Sequence, residues 1–162
     1  MSVSTAAAQP QITPEQPGDA FGVEAVIAAA FGPGRFAKTA ERLREGSSPI
    51  AGFVAREGAR VVGSVRLWPI TIGETPAAFL GPIAVDTVHR KGGLGARLVE
   101  AAVAAADAAG LSAVLLVGDT PYFGRFGFER AADVTLPGPV DARRLLVRVL
   151  KGATPTGLVA RA

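Results

Sequence analysis

The chain of 162 residues has the length of a single domain, and 49% of its residues are apolar, which is enough for a sizeable core. It has no cysteine, which excludes disulfides, thiolate zinc sites and a cysteine nucleophile, and its single histidine, His89, cannot build a histidine metal cluster. The net charge of +3 is spread along the chain, whereas a nucleic-acid binder more often carries a concentrated basic stripe. We therefore expect no metal site and no nucleic-acid partner.

Neither membrane nor export signals are visible in the sequence. No apolar run approaches the roughly 20 residues that a membrane span needs. The N-terminus lacks the positive start and the apolar centre of a signal peptide. We expect a cytoplasmic protein with no membrane contact, in which residues 1–10 form a flexible tail and residues 11–162 form one domain.

A short edge strand and two helices are predicted for the first part of the chain. The strand covers residues 11–13. The first helix covers residues 20–31, is capped by Asp19 and has an apolar face of Val23, Val26, Ile27 and Ala30. After a Gly-Pro-Gly break, apolar side chains at helical spacing predict a second helix over residues 35–45.

The middle of the chain predicts an antiparallel meander. Strands over residues 51–56 and 60–72 flank a Glu-Gly turn, and a second turn leads into a strand over residues 79–85. Because proline cannot donate to a strand ladder, we expect a bulge or bend at Trp68 and Pro69. The indole of Trp68 either lines a substrate pocket or fills the core, and the sequence leaves both open.

A basic glycine-rich turn follows the strand of residues 79–85 and precedes a helix that runs to about Gly110. The first turn of a helix leaves N–H groups unpaired at the positive end of the helix dipole, where phosphate is the usual ligand. Gly92, Gly93 and Gly95 remove the Cβ atoms that would hold a phosphate away, and Arg90 and Lys91 add positive charge. An anion site is favoured over a turn whose glycines only bend the chain.

Two common phosphate motifs fit this turn poorly. A P-loop needs Gly-Lys-Ser/Thr, which is not found here. The dinucleotide fingerprint needs a third glycine where the chain has Leu98, although Asp119 lies near the place of a ribose-binding acid. A nucleotide-binding oxidoreductase domain remains as a competing interpretation.

The second half of the chain predicts a crossover unit and a last strand. The helix after the glycine turn has one apolar side, and we expect Arg97 on the other side to point to solvent. A strand over residues 112–117 should lie parallel to residues 79–85. Asp119 should cap a short helix from which Phe123 and Phe126 point inward. Residues 145–150 are predicted as the final strand.

The pattern Arg-x-x-Gly-x-Gly at Arg90, Gly93 and Gly95 resembles the acyl-CoA binding motif of the GNAT superfamily of N-acyltransferases. Residues 81–85 look like the family's fourth strand, and residues 117–128 look like its fifth strand, short helix and Gly-Phe signature. The resemblance covers roughly residues 20–150 and is closest to a bacterial branch of predicted N-acetyltransferases. It implies an α+β fold, with a twisted, mixed but mostly antiparallel central sheet flanked by helices.

The resemblance also implies direct transfer of an acetyl or acyl group from acetyl-CoA to an amine. Backbone N–H groups of Gly92, Gly93, Leu94, Gly95 and Ala96 would hold the pyrophosphate. Arg90 would either reinforce them electrostatically or orient the loop. The backbones of Ile83 and Val85 would pair with the pantetheine arm. A bulge near Ala84 would direct an N–H at the thioester carbonyl.

The acid and the base are less well defined. The family often has a tyrosine as general acid at the position that is Phe123 here, and Tyr122 stands one residue earlier. Glu74 and Asp119 are conceivable bases, and His89 is either a phosphate contact or an exposed loop residue. The acceptor is a small-molecule or protein amine, and a homodimer is a family-level expectation. The alternative is a non-catalytic CoA-binding regulatory module of the same fold.

Overall fold

The computed structural model describes residues 9–32, 38–90 and 92–162. Four helices lie in these ranges: α1 (Ala20–Phe31), α2 (Thr39–Arg42), α3 (Leu94–Ala108) and α4 (Thr120–Phe123). The strands of the same ranges are β1 (Gln11–Pro14), β2 (Ala51–Glu57), β3 (Arg60–Ile72), β4 (Thr75–Val85), β5 (Ala113–Val117), β6 (Glu129–Arg130), β7 (Val134–Thr135), β8 (Leu145–Val149) and β9 (Gly157–Arg161).

The strands form one mixed sheet in the order β1-β2-β3-β4-β5-β8-β6, with β9 added to β3 and β7 added to β9. The first four strands are the predicted antiparallel meander. As predicted, β5 runs parallel to β4, and α3 is the crossover between them. The fold is therefore a mostly antiparallel sheet flanked by helices.

Helices cover both faces of this sheet. On one face α3 packs through Leu94, Leu98, Val99, Ala102 and Val103, all buried among side chains of β2–β5. On the other face α1 buries Val23, Val26 and Ile27 against Val54 and Ala84. Each helix buries one apolar stripe and leaves its remaining surface to solvent.

Ion pairs attach the first elements to the sheet. Arg66 donates two hydrogen bonds to Glu15, at 3.0 and 2.9 Å, and Arg56 donates to Asp19 at 2.5 Å. Asp19 precedes α1 as predicted, but its side chain accepts from Arg56 and from the Gln16 N–H rather than capping the helix. The hydrogen bond from Arg56 lowers the pKa of Asp19.

The expected bulge at Trp68 and Pro69 is wrong, because both residues pair in register with Phe79 and Ala78 of β4. Pro69 is tolerated because of its place on the other edge of β3. There β2 begins at Ala51 opposite Leu67 and β9 ends at Arg161 opposite Ile70, so neither strand requires the missing N–H. The irregularity lies in β4 instead. One residue of β3 lies between Val65 and Leu67, while two residues of β4 lie between their partners Ile83 and Leu80.

Several other expectations need correction. The last strand is β9, not β8. In α3 the buried stripe includes Val99, Val103 and Ala106, while Ala109 is exposed. Arg97 does not simply point to solvent, because its Nη1 donates to the Pro10 carbonyl at 3.0 Å.

The predicted second helix falls partly on residues 33–37, outside the described residues, and α2 ends earlier than expected, at Arg42. None of the helices in the described ranges is long and apolar enough to cross a membrane.

Candidate active site

The glycine turn is the first component of the site. Gly93 has a φ of 78°, in the left-handed region that favours glycine, and it is the residue from which α3 begins. A Cβ at Gly93 would meet no heavy atom within 4 Å, so the turn is open on that side. The N–H groups of the first turn of α3, from Leu94 to Ala96, have no partner within the helix. Lys91 lies outside the described residues.

Three polar contacts fix the connection that carries this turn. Asp86 accepts from the Val88 N–H at 3.2 Å and pairs with Arg60. The Nε2 of His89 lies 2.9 Å from a carboxylate oxygen of Glu57. The side chain of His89 is only 15% exposed, so it is not the exposed loop residue considered above.

Arg90 is bound to the strand rather than projecting freely. Its Nε donates to the Val85 carbonyl at 3.2 Å, which folds the side chain back along the end of β4. This contact connects the strand to the glycine turn. Of the two roles considered, charge reinforcement and loop orientation, the geometry supplies the second directly.

The second component is a gap between β4 and β5. These strands pair only at Ala78 with Val114 and at Phe79 with Leu115. Beyond Phe79 the strands separate, and a cavity of about 140 Å³ lies between them. Residues of β4 from Leu80 to Ile83, together with Leu116 and Val117 of β5, form its walls. The second edge of β4 is therefore available along this stretch.

The ladder between β3 and β4 determines which backbone groups face that edge. The Asp86 N–H donates to the Val62 carbonyl of β3 at 2.8 Å, and Ala84 pairs with Ser64 in the same register. Because strand residues alternate in direction, Asp86 and Ala84 bond to β3 while Ile83 and Val85 point to the open edge. The backbone N–H of Ala84 therefore faces β3 and not the gap.

The bulge of β4 lies at Gly81 and Pro82, at the wall of the cavity and before Ala84. The indole Nε1 of Trp68 donates to the Gly81 carbonyl at 2.5 Å. Trp68 is only 8% exposed and packs in the core on the face opposite α3. Of the two alternatives for Trp68, the core position is correct, and the indole also holds the bulge.

The short helix α4 closes the end of the gap with two aromatic residues that point in different directions. Phe123 is buried and lines the cavity, and its ring lies so close to Gly118 that a Cβ there would collide with it. Tyr122 points instead to the start of α3. Its hydroxyl oxygen lies 2.7 Å from the place that a Cβ at Gly95 would occupy.

The environment of Tyr122 keeps its phenol protonated near neutral pH. Burial raises the pKa of Tyr122, and the nearby Arg125 guanidinium opposes this effect. The Arg125 Cζ lies 4.7 Å from the centre of the Tyr122 ring. The phenol therefore stands beside the glycine turn, whereas the unreactive ring of Phe123 stands at the cavity.

Neither candidate base lies in the cavity. Glu74 is in the turn before β4, at the far end of the strand, roughly 25–30 Å from Ile83 at the rise of an extended strand. Asp119 is 72% exposed and pairs with the Arg144 Nε at 3.2 Å, outside the cavity lining. Within the described ranges no group of three or more metal-binding side chains is assembled.

The cavity also contains charged residues that the sequence did not identify, namely Lys38, Arg44 and Arg144. Lys38 and Arg44 flank α2, and Arg144 precedes β8. They come from segments more than a hundred residues apart, so no local motif joins them.

Comparison with known proteins supplies a context for this geometry. A family model described as "Acetyltransferase (GNAT) family" matches residues 23–128. The chain is 34% identical over 155 residues to the "uncharacterized N-acetyltransferase YhbS" of Escherichia coli strain K12, covering 90% of this chain and 92% of that protein.

Two solved structures share the arrangement over nearly the whole chain. One is YhbS from Escherichia coli in complex with CoA, with a TM-score of 0.85 and 30% identity over 99% of this chain and 94% of that one. The other is a GNAT family acetyltransferase from Brucella melitensis in complex with acetyl-CoA. Its TM-score is 0.74 at 25% identity, and the match covers 94% of this chain and 95% of that one.

Proposed function

Since the chain belongs to the GNAT acetyltransferase family, we propose that it transfers an acetyl group from acetyl-CoA directly to the amine of an acceptor. One observation carries the proposal. The cavity, the free edge of β4 and the open glycine turn follow one another along and beyond β4. This arrangement suits a long cofactor that has phosphates at one end and a reactive group at the other.

The glycine turn fits the pyrophosphate end of acetyl-CoA. The N–H groups of Gly93 to Ala96 lie at the positive end of the α3 dipole, and Gly93 leaves space for a phosphate close to the backbone. The Gly92 N–H, which was expected to join them, instead donates to the His89 carbonyl at 3.2 Å. Arg90 keeps this turn attached to the end of β4. The side chain of Leu94 is buried, so this residue contributes only its backbone.

The free edge of β4 fits the amide-bearing arm of the cofactor. Ile83 and Val85 direct their backbone groups into the gap, where an extended arm would add to the sheet as a short strand. The acetyl thioester, which supplies the activated acyl group, would then lie in the cavity. Phe123 and the bulge of β4 would exclude water around it.

The N–H that faces the thioester carbonyl is assigned to Ile83 rather than to Ala84. Ala84 bonds to β3, and Pro82 has no N–H, so the first donor after the bulge that faces the gap is Ile83. A fixed backbone donor stabilises the negative charge that develops on the thioester oxygen as the amine attacks. The thiolate leaves readily, because a thiol pKa is only about 8.5. Transfer therefore does not require the acid that Phe123 lacks.

Phe123 favours a second candidate, a CoA-binding regulatory module without turnover. Its ring has no proton to donate at the place where the family often has a tyrosine. Both candidates predict binding of the cofactor, and only the first predicts its consumption.

The experiment that separates them measures thiol release from acetyl-CoA in the presence of a panel of amines. We expect release that depends on both the amine and the enzyme, with one N-acetylated product formed per thiol. The Gly93→Asp variant serves as a control for contaminating activity. Binding of acetyl-CoA without release for any amine would support the regulatory module instead.

A further inference from the structure

The cavity between β4 and β5 has an unbalanced charge. The charged residues of its described lining are Lys38, Arg44 and Arg144, and no carboxylate is among them. Residues 33–37, which precede Lys38, add one arginine and no acid to the sequence of this segment. An amine acceptor is itself a cation before it reacts, so this lining needs an explanation.

Arg44 is the most deeply placed of the three cations. Its side chain is 10% exposed, and its Nη2 donates to Glu41 at 2.9 Å. The Nη1 of Arg44 lies 3.3 Å from the place that a Cβ at Gly81 would occupy. The guanidinium therefore lies against the β4 bulge, and also over the ring of Phe79, at 5.8 Å from its centre. Burying a charge is costly unless the charge is paired, and the Glu41 carboxylate supplies that pairing for Arg44.

The other two cations line the mouth of the cavity. Lys38 is exposed. The Nε of Arg144 donates a hydrogen bond to the Asp119 carboxylate at 3.2 Å. Both also line an adjoining groove of about 460 Å³, to which Arg42 adds a further cation and Asp141 a carboxylate. Asp141 accepts hydrogen bonds from Arg143, at 3.2 and 3.1 Å. Glu41 and Asp119 pair with Arg44 and Arg144, so the excess of positive charge comes from Lys38 and Arg42 at the mouth of the cavity and in the adjoining groove.

This arrangement discriminates between classes of amine. A plain ammonium or a polyamine is repelled by the lining, and the repulsion is stronger in a half-buried cavity than in water. An amine that carries a carboxylate gains an ion pair with the same groups. The cations also lower the pKa of a nearby ammonium, because like charge disfavours the protonated form. The neutral amine that attacks is thereby favoured although no carboxylate base lines the cavity.

We propose that the acceptor is a small amine that carries a carboxylate, as an amino acid does, held by Arg44, Lys38 and Arg144. This inference rests on the proposed N-acetyltransfer. The cavity volume of about 140 Å³ limits the part of the acceptor inside it to a few heavy atoms, and the adjoining groove has room for a larger substituent.

The first test compares acceptors that differ only in the anionic group. L-Leucine, L-leucinamide and 3-methylbutylamine share one side chain, and the same triplet can be prepared from other amino acids. With saturating acetyl-CoA, we expect kcat/KM for the best free amino acid to exceed that of its amide and of its decarboxylated amine by on the order of tenfold or more. A single hydrogen bond to a charged group accounts for a ratio of that size.

The second test removes the cations at the mouth one at a time. Lys38→Gln and Arg144→Gln should raise KM for the preferred amino acid on the order of tenfold. The shift in melting temperature that acetyl-CoA produces should remain as in the parent. Lys151→Gln and Arg130→Gln are the matched controls, because neither residue lines the cavity or the adjoining groove. Both controls should keep the parental KM.

The outcomes separate this inference from the proposed function. Equal or better transfer to the uncharged amides and amines overturns the carboxylate acceptor while N-acetyltransfer stands. If no amine is acetylated, the CoA-saturated protein still tests the inference. Stabilisation by free amino acids but not by their amides, lost in Arg144→Gln, supports it, and equal or absent stabilisation overturns it. Failure of acetyl-CoA itself to bind overturns the proposed function as well.

Discussion

Gly93 shows how a single residue combines backbone geometry with the chemistry of the anion site. Its φ of 78° is one that asparagine and aspartate tolerate better than other side chains, and a Cβ there meets no neighbour within 4 Å. A substitution to either residue should therefore leave the fold intact. If such a variant is folded but no longer binds CoA, the ligand must occupy the open side of the turn.

We predict that Gly93→Asp abolishes measurable binding of CoA while the protein stays folded. The new carboxylate would lie where the pyrophosphate is proposed to sit, and the like charges would repel each other. Isothermal titration with CoA measures the effect, and circular dichroism confirms the fold. Gly93→Asn, which has the same shape without the charge, should lose clearly less affinity. Unchanged affinity in Gly93→Asp would move the pyrophosphate to another part of the surface.

Tyr122 is separated from the proposed reacting atoms by the direction of its side chain. Its hydroxyl approaches Gly95, while Phe123 lines the cavity. We predict that Tyr122→Phe leaves kcat with a saturating amine within about threefold of the parent. A general acid contributes at least about a hundredfold. A loss of that size in steady-state turnover would assign the proton donor to Tyr122.

The position of Tyr122 can also be read from its titration, because it is the only tyrosine in the chain. Absorbance of tyrosinate should report a pKa above the ordinary value of 10.0, since burial disfavours the phenolate. CoA should raise this pKa further, because a pyrophosphate beside Gly95 would repel the phenolate. In Arg125→Gln the pKa of the free protein should also rise, because the arginine lowers it. A pKa that does not respond to CoA would contradict a pyrophosphate beside Gly95.

At the scale of elements, β4 is the strand whose shape creates the site. Its bulge at Gly81 and Pro82 coincides with the point where β4 and β5 separate, and Trp68 of β3 holds the bulge by its hydrogen bond to the Gly81 carbonyl. Two features of the site therefore depend on a side chain that lies on the neighbouring strand. The indole acts as a positioning group, since the backbone and not the ring faces the gap.

We predict that Trp68→Phe lowers kcat more than it weakens CoA binding, because the bulge loses its hydrogen bond while the glycine turn is untouched. The free energy of unfolding should fall by about 1–3 kcal/mol from the unpaired carbonyl and the smaller ring. Ile70→Val is the matched control. It lies on the same face of β3, should cost about 0.5–1.5 kcal/mol, and does not contact Gly81. Equal effects of the two variants on kcat would indicate a general loss of stability rather than a distorted bulge.

The elements that local patterns determine were predictable, and those that distant contacts determine were not. The meander, the glycine turn and α3 follow from alternating apolar runs, turn residues and a helix start. In contrast, β9 lies in a segment with proline and glycine and is a strand because the edge of β3 beyond Leu67 offers it partners. The bulge was predicted at Pro69 because proline breaks ladders, but the order of neighbouring strands removes the conflict there.

The candidate site also combines features that a local pattern specifies with features that depend on distant contacts. The motif around Arg90, Gly93 and Gly95 is contiguous in sequence, so the sequence could identify it. The cations of the cavity come from the two ends of the chain and meet only because β8 returns beside β5. Even the orientation of Ile83 relative to Ala84 depends on the register with β3, which no local pattern specifies.

At the scale of the whole molecule, the sheet separates the proposed binding of the cofactor from that of the acceptor. On one face α3 presents its N-terminus at the end of β4. On the opposite side, α2 and the segment before β8 bring cations to the mouth of the gap. The two substrates would approach from opposite sides and meet at the bulge. Direct transfer requires such a meeting, because the amine must reach the thioester while the cofactor stays bound.

The protein as a whole should therefore be stabilised by acetyl-CoA and not by NAD. A ligand that binds only the folded state at about 100 times its Kd adds about 2.7 kcal/mol to the free energy of unfolding. For a chain of 162 residues this corresponds to a rise in melting temperature of roughly 5–10 °C. NAD should produce no such rise, because the third glycine of the dinucleotide fingerprint is replaced by Leu98, which is fully buried under the sheet. Differential scanning fluorimetry of the parent and of Gly93→Asp measures both ligands under the same conditions. A rise with NAD, or none with saturating acetyl-CoA, would contradict the assignment of the glycine turn to an acyl-CoA.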